Sequence, residues 1–126
     1  MRMKVKVTQS CIDRFNEWDR KSVRGHGYRL NCLVAQAVRE LFPNAGVGFH
    51  IIDTHIEGME FVDRIIDLPH TVTEQIRLLD ARRVTGYKPV PFEFEIDVTM
   101  KIIDSISIGQ AYKVLSESPT LEFICP

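Results

Sequence analysis

Apolar and polar residues alternate in two stretches of the chain, residues 3–8 (MKVKVT) and residues 92–98 (FEFEIDV). A period of two predicts β-strands that bury one face and leave the other in water. Lysines fill polar positions of the first stretch, and acidic residues fill those of the second. Because cross-strand pairs of opposite charge stabilise a sheet, the two strands are predicted to be neighbours.

Apolar residues that recur every three or four positions predict four helices. Ser10, Asn31 and Thr71 are the predicted N-caps of three of them, and Glu74 completes a capping box with Thr71. The predicted helices are residues 10–20, the stretch after Asn31 with its stripe of Val34, Ala37, Val38 and Leu41, the stretch after Thr71 with Val72, Ile76 and Leu79, and a last one with Ile108, Ala111, Tyr112 and Leu115.

Shorter strands are predicted in the middle of the chain and at its end. Residues 47–51 alternate as a strand, and residues 60–66 follow as its antiparallel partner after a polar turn at 54–58. Residues 121–124 predict a C-terminal strand. We expect that strand to pair with its copy across a two-fold axis, which would make the protein a homodimer.

Together these elements predict an α+β fold with an antiparallel or mixed sheet of about four to five strands and two to three helices packed on one face. A length of 126 residues is that of one domain, spanning 1–126. Within it we expect a core at 1–98 and a C-terminal extension at 99–126 that consists of a helix and a strand.

Composition narrows the class of protein. The chain is 44% hydrophobic and 26% charged, with a formal net charge of -1, so it lacks the overall basic excess of non-specific nucleic-acid binders. Its three cysteines are widely spaced, and no apolar run is long enough to span a membrane. These features predict a soluble protein of a reducing cytoplasm, with no membrane association.

One loop concentrates the chemistry that could hold a ligand. Four cations lie within ten residues, and two glycines between them would let backbone amides approach an anion. A tyrosine and a histidine add flat faces for a base. The alternative is an ordinary solvated loop, since no standard phosphate-loop motif is present. The residues predicted to bind phosphate, a nucleotide or a partner are Arg20, Lys21, Arg24, His26, Tyr28 and Arg29.

Other candidate chemistry is weaker. The acidic row in residues 93–97 is better explained as a solvated strand face opposite lysines than as a metal site. Cys11, His26 and Cys32 do not have the spacing of a zinc site, so neither a metal nor a cofactor is predicted. Cys32 begins a helix, where a thiol can become a nucleophile, but a buried apolar role fits it better.

The order of these pieces resembles a set of small phage- and prophage-encoded proteins of unknown function. The resemblance rests on KVKVT at residues 4–8, CLVAQA at 32–37, the central hairpin, LP at 68–69 and PFEFE at 91–95, and it spans about residues 3–97. Those proteins usually have proline where this chain has Leu33. They also lack a counterpart to residues 11–27 and to the tail after residue 98.

The resemblance implies a non-catalytic accessory protein of a phage or mobile element that acts in the host cytoplasm. Such a protein would counter host defence by binding a host protein complex or by sequestering a nucleotide signal. Two alternatives from other classes stay open. One is a small enzyme that uses Cys32 or His26, and the other is a nucleic-acid-binding module that uses the basic loop.

Overall fold

The computed structural model describes residues 1–21 and 31–124. The strands in these ranges are β1 (Arg2–Val7), β2 (Gly46–Val47), β3 (Ile51–Asp53), β4 (Ile65–Asp67), β5 (Phe92–Asp97) and β6 (Leu121–Phe123). The helices are α1 (Gln9–Lys21), α2 (Leu33–Val38), α3 (His70–Asp80), α4 (Arg82–Thr85), α5 (Met100–Ser105) and α6 (Ile108–Glu117), and a 3-10 turn covers Phe61–Asp63.

The strands form two antiparallel sheets, in the orders β5-β1-β6 and β2-β3-β4. The predicted α+β class and the antiparallel pairing are confirmed. The single sheet of four to five strands is replaced by two sheets of three strands in the described residues. Within residues 1–21 and 31–124, the strands of the central hairpin are two or three residues long and form hydrogen-bonded ladders only with one another, so they make a sheet distinct from the ladder around β1.

The predicted pairing of the first strand with the acidic strand is confirmed. Lys4 lies opposite Glu95 and Lys6 lies opposite Glu93 in the β1–β5 register. The lysines nevertheless make their ion pairs on the other side, with Glu122 of β6, whose Oε2 is 2.7 Å from Lys6 Nζ. That hydrogen bond raises the pKa of Lys6 and lowers the pKa of Glu122. The acidic row is thus one edge of a charged outer face.

The inner face of this sheet and the helices enclose one hydrophobic cluster that also includes Ile52 and Ile66 of the second sheet. The apolar stripes that were predicted for the second and third helices are buried, as expected, in α2 with the turn after it and in α3. Helix α1 belongs to this core as well, because Cys11, Ile12 and Phe15 are all buried. The first part of residues 11–27 therefore contributes to the packing of the core.

The predicted N-caps are wrong by one or two positions. Helix α1 begins at Gln9, and the Thr8 hydroxyl accepts a hydrogen bond from the Cys11 amide at 3.3 Å, in the role predicted for Ser10. Cys32 occupies the N-cap position of α2 and Pro69 that of α3, neither with a side-chain cap bond. A proline there sets extended geometry before the helix, so the chain turns earlier than Thr71.

The predicted strand at residues 47–51 is interrupted. Gly48 donates its amide hydrogen to the Ile51 carbonyl at 2.9 Å, so residues 48–50 form a turn between β2 and β3. Phe49 is accordingly 50% exposed instead of buried. The predicted partner strand shrinks to β4, because the first part of it winds into the 3-10 turn.

The C-terminal elements form where predicted, with the addition of α5, which Thr99 caps by accepting a hydrogen bond from the Ile102 amide at 3.3 Å. Tyr112 is exposed, so it does not belong to the stripe predicted for α6. Strand β6 pairs with β1 of its own chain. Pairing across a two-fold axis would have to use its other edge, and the homodimer stays a prediction.

Each helix within residues 1–21 and 31–124 is too short or too polar to cross a membrane.

Candidate ligand-binding groove

The basic segment predicted to bind a ligand begins at the last turn of α1. Arg20 and Lys21 are both exposed there, and both form ion pairs with Glu17, with 2.7 Å between Lys21 Nζ and Glu17 Oε1. The hydrogen bond from Lys21 is the main reason why the pKa of Glu17 is lowered. Two cations thus share one carboxylate, which leaves this turn positive. The other predicted residues, Arg24, His26, Tyr28 and Arg29, lie outside the described residues.

A groove of about 650 Å³ runs between α1 and the segment 82–89 that leads from α4 toward β5. We call it the Asp19 groove. A volume of this size is typical of sites for small-molecule ligands. Its lining contains three cations and one carboxylate, which gives it a positive balance. The lining residues are Gln9, Ile12, Asn16, Asp19, Arg82, Arg83, Gly86, Tyr87, Lys88 and Pro89.

An ion pair between Asp19 and Arg82 joins the two walls of the groove across 63 residues of sequence. Arg82 donates from Nε to Asp19 Oδ2 at 2.9 Å, and its Nη2 forms a second hydrogen bond with the same carboxylate. Arg82 Nη1 also donates to the Leu79 carbonyl at 2.7 Å. The guanidinium lies 5.1 Å from the centre of the Phe15 ring, so it rests on the hydrophobic core.

This pairing fixes the charge of Asp19. The hydrogen bond from Arg82 is the largest cause that lowers the pKa of Asp19, so the carboxylate is ionised at neutral pH. Both of its oxygens accept hydrogen bonds from the guanidinium in a two-pronged arrangement, which is the strongest common form of a carboxylate–arginine contact. Asp19 therefore links the two walls of the groove through Arg82.

The other two cations of the groove are less engaged. Arg83 is 62% exposed along its side chain and approaches the Asp19 carboxylate only at 3.5 Å. Lys88 is exposed and forms no ion pair with any residue that the structure describes. Between them Gly86 takes a left-handed conformation with φ of 74°, which favours glycine and turns the chain back after α4. That turn lets Arg83 and Lys88 line the same groove.

Tyr87 adds a fixed aromatic ring to the lining. Its hydroxyl donates to Gln75 Oε1 at 2.7 Å, and its amide donates to the Thr85 hydroxyl at 3.2 Å. Bonds at the backbone and at the far end of the side chain hold the ring in one orientation. A half-buried ring held in this way can stack on a planar base with little loss of conformational entropy.

The sequence pattern predicts segment 82–89 only as the end of a helical region and not as part of a site. Its composition, RRVTGYKP, nevertheless combines three cations with a glycine and a tyrosine, the same mixture as the segment from Arg20 to Arg29. This composition is the local signal of a site. The contact between Asp19 and Arg82 is the feature that brings the segment beside α1.

Cys32, the nucleophile of the enzyme alternative, is the N-cap residue of α2 and is buried, with 4% of its surface exposed. Burial raises the pKa of its thiol to about 11, more than the amides of Ala35 and Val34 lower it. Since the thiolate is the reactive form, Cys32 is an unreactive thiol at neutral pH. The other residue of that alternative, His26, lies outside the residues described here.

Cys32 and Cys11 should therefore resist modification in the folded protein. In a Cys125→Ser variant, we expect an aromatic disulfide reagent at pH 7.5 to react with less than one tenth of the thiols in the time that unfolded protein needs for complete reaction, because both cysteines are buried. Absorbance of the released thiolate measures the rate, with protein in urea as control. Rapid reaction of one thiol in the folded variant would contradict this account.

No group of three or more His, Cys, Asp or Glu side chains that could hold a metal ion occurs in the described part of the chain. No protein-family model matches the chain, and no curated protein or solved structure matches it either. The relation to small phage- and prophage-encoded proteins stays a prediction.

Proposed function

We propose that the chain is a non-catalytic binding protein that holds a phosphate-bearing small molecule, specifically a nucleotide, in the Asp19 groove. The observation that carries this proposal is the position of Arg83 and Lys88 in one groove with the ring of Tyr87. Arginine and lysine are the usual partners of phosphate oxygens. An aromatic ring can stack on any of the bases, because each base has a flat π face. Together they match the two halves of a nucleotide.

A binding role suits the groove better than a catalytic one. Asp19 is the single carboxylate in its lining, and its oxygens are occupied by Arg82. A general base works best when its pKa lies near the working pH, whereas the hydrogen bond from Arg82 lowers the pKa of Asp19. The remaining lining groups are cations, amides, a tyrosine with a bonded hydroxyl and apolar residues. These groups hold and orient a ligand.

The predicted basic segment extends this site in the proposal. Asp19 is followed directly by Arg20 and Lys21, so the chain leaves the groove with further positive charge. We propose that these two residues, together with Arg24, His26, Tyr28 and Arg29, contribute to holding the ligand. In this proposal the protein is a phage or mobile-element accessory protein of the host cytoplasm that sequesters a nucleotide signal. A homodimer through the outer edge of β6 belongs to the same proposal.

Charge removal from the groove should weaken nucleotide binding. We expect the double substitution Arg83→Ala and Lys88→Ala to raise the dissociation constant for ATP at least tenfold, because a hydrogen bond to a charged group contributes about 1.5–3 kcal/mol and about 1.4 kcal/mol is a factor of ten. Calorimetric titration at fixed salt measures it. Arg77→Ala is the matched control, since Arg77 is exposed on α3, pairs with Glu74 and is not part of the groove.

Further ligands separate the contributions of charge and stacking. Inorganic triphosphate should bind more weakly than ATP, adenosine should bind more weakly still, and Tyr87→Leu should remove the difference between ATP and triphosphate. An unchanged dissociation constant in the double variant, or an equal loss in Arg77→Ala, would contradict the proposal. Binding to single-stranded DNA that falls steeply with salt and depends on Arg20, Lys21, Arg24 and Arg29 would instead support the nucleic-acid module.

A further inference from the structure

Residues 54–64, which we call the tip loop, connect β3 to β4 and are closed at their base by backbone and side-chain bonds. The Thr54 amide and the Thr54 hydroxyl both donate to the Arg64 carbonyl, at 3.1 and 3.0 Å. Thr54 is itself buried. Inside the loop, the Met59 amide donates to the Ile56 carbonyl at 3.2 Å. The loop therefore has a defined internal structure.

A buried carboxylate beneath the loop adds to this order. Asp53 is 2% exposed and accepts a hydrogen bond from the His55 amide at 2.9 Å. Arg64 Nε lies 2.9 Å from the same Asp53 oxygen, but its N–H is not directed at a hydrogen-bond acceptor, so this contact is an ion pair rather than a hydrogen bond. His55 Nε2 lies 3.4 Å from the other oxygen. Burial of a carboxylate is costly, and here it fixes the shape of the loop.

The backbone of His55 shows the same constraint. With φ of 50° it is the one non-glycine residue with positive φ in the ranges 1–21 and 31–124. A non-glycine residue held in this region is strained and keeps this conformation only where its surroundings hold it there. The hydrogen bond from the His55 amide to Asp53 holds the backbone of His55 in this conformation. The strained turn at His55 thus holds the tip loop in one conformation.

The loop presents two large apolar side chains to solvent. Phe61 is 56% exposed and Val62 is 77% exposed, both on the 3-10 turn. The Arg64 guanidinium lies 5.6 Å from the centre of the Phe61 ring and limits its movement. Asp63 is bonded to Lys101 of α5 at 2.7 Å, which ties the turn to the body of the protein. Apolar side chains held outward on a fixed turn are typical of an interaction surface.

A concavity of about 240 Å³ lies between the tip loop and α5, and its lining includes Glu60 and Asp63, which flank Phe61 and Val62 in sequence. Its apolar lining comes from Ile56 and Met59. Its charged lining residues are Glu57, Glu60 and the ion-paired Asp63 and Lys101, so the two glutamates, which form no ion pair with a residue that the structure describes, make the lining acidic overall. A volume of this size accommodates one long side chain. The surface is therefore apolar in part and acidic overall.

We infer that the tip loop and the concavity beside it dock a basic amphipathic helix of a partner protein. The apolar face of such a helix would cover Phe61 and Val62 and insert one side chain into the concavity. Lysine or arginine on the flanks of the helix would lie against Glu57 and Glu60, which provides the charge complementarity that selects this partner. This surface is separate from the Asp19 groove in its residues and in the charge that it attracts.

Two synthetic peptides test this inference. Both have the same leucine and tryptophan face, but one has lysine and the other has glutamate at all remaining positions. By fluorescence anisotropy, we expect the lysine peptide to bind at least tenfold more tightly than the glutamate peptide, and added salt to weaken it. The double substitution Phe61→Ser and Val62→Ser should weaken binding of the lysine peptide at least tenfold.

Val84→Ser with Val90→Ser is the matched control, because both valines are exposed and lie outside the tip loop. Circular dichroism of each variant verifies folding, which these surface changes should preserve. Equal binding of the two peptides, or equal weakening in the control, would overturn the inference. So would a dimer in sedimentation velocity that the Phe61 and Val62 substitutions dissociate, because a second copy would then be the occupant.

Discussion

Phe15→Ala is expected to lower the free energy of unfolding by about 3–5 kcal/mol. The Phe15 side chain is fully buried, and its ring centre lies 6.0 Å from that of Trp18. Removing the ring loses its buried apolar contacts and leaves a cavity that neighbours fill only in part. The ring also supports the guanidinium of Arg82, so the change removes packing at the floor of the Asp19 groove. Urea unfolding followed by tryptophan fluorescence measures the effect.

Phe49→Ala provides the control for this substitution. It removes the same side chain from a position that is half exposed. The backbone carbonyl of Phe49 accepts a hydrogen bond from the Thr73 hydroxyl, and the substitution retains that carbonyl. We expect a loss of about 1 kcal/mol or less there. Equal losses at the two positions would show that Phe15 is not part of a close-packed core, and the account of α1 as a core element would be wrong.

Asp53→Ala is expected to lower the free energy of unfolding by about 3 kcal/mol, since removing one partner of a buried ion pair leaves the other charge uncompensated. Arg64 would lose its carboxylate, and the His55 amide would lose the acceptor that holds its left-handed backbone. The same variant should bind the lysine peptide more weakly, because the tip loop would no longer be held in one conformation. Urea unfolding and anisotropy measure the two effects.

Asp67→Ala is the matched control for this prediction. Asp67 lies on β4, opposite Ile51 in the register, and its side chain is exposed. Its removal should change the free energy of unfolding by less than about 0.5 kcal/mol. A stable Asp53→Ala protein with unchanged peptide affinity would contradict the role of the buried carboxylate in presenting the loop.

The parts of the fold that sequence could predict are those in which local pattern and burial agree. β1 and β5 alternate without interruption, and each buries its apolar positions against the helices. The stretch at residues 47–51 alternates just as regularly, but Gly48 there closes a turn. Alternation alone cannot distinguish a strand from a turn of similar composition, because it records the polarity of the side chains and not the hydrogen bonds of the backbone.

The site depends on contacts that local pattern does not contain. Sequence indicated a helix that ends at Arg20 and a loop that begins at Lys21, and the structure extends the helix through Lys21. It could not indicate that Arg82 reaches Asp19, because that contact spans 63 residues and is specified by the packing of α1 on the core. Likewise, nothing local distinguishes Asp53, which is buried under a loop, from Asp67, which is exposed at the end of β4.

The central claim is that a nucleotide binds in the Asp19 groove, and mapping of amide chemical shifts tests it most directly. On adding ATP to ¹⁵N-labelled protein, we expect the largest shifts at the amides of Gly86, Tyr87 and Lys88 and at Asn16 on the opposite wall. Saturation of these shifts would give the same dissociation constant as calorimetry. Shifts confined to the tip loop, or no shifts at millimolar ATP, would contradict the claim.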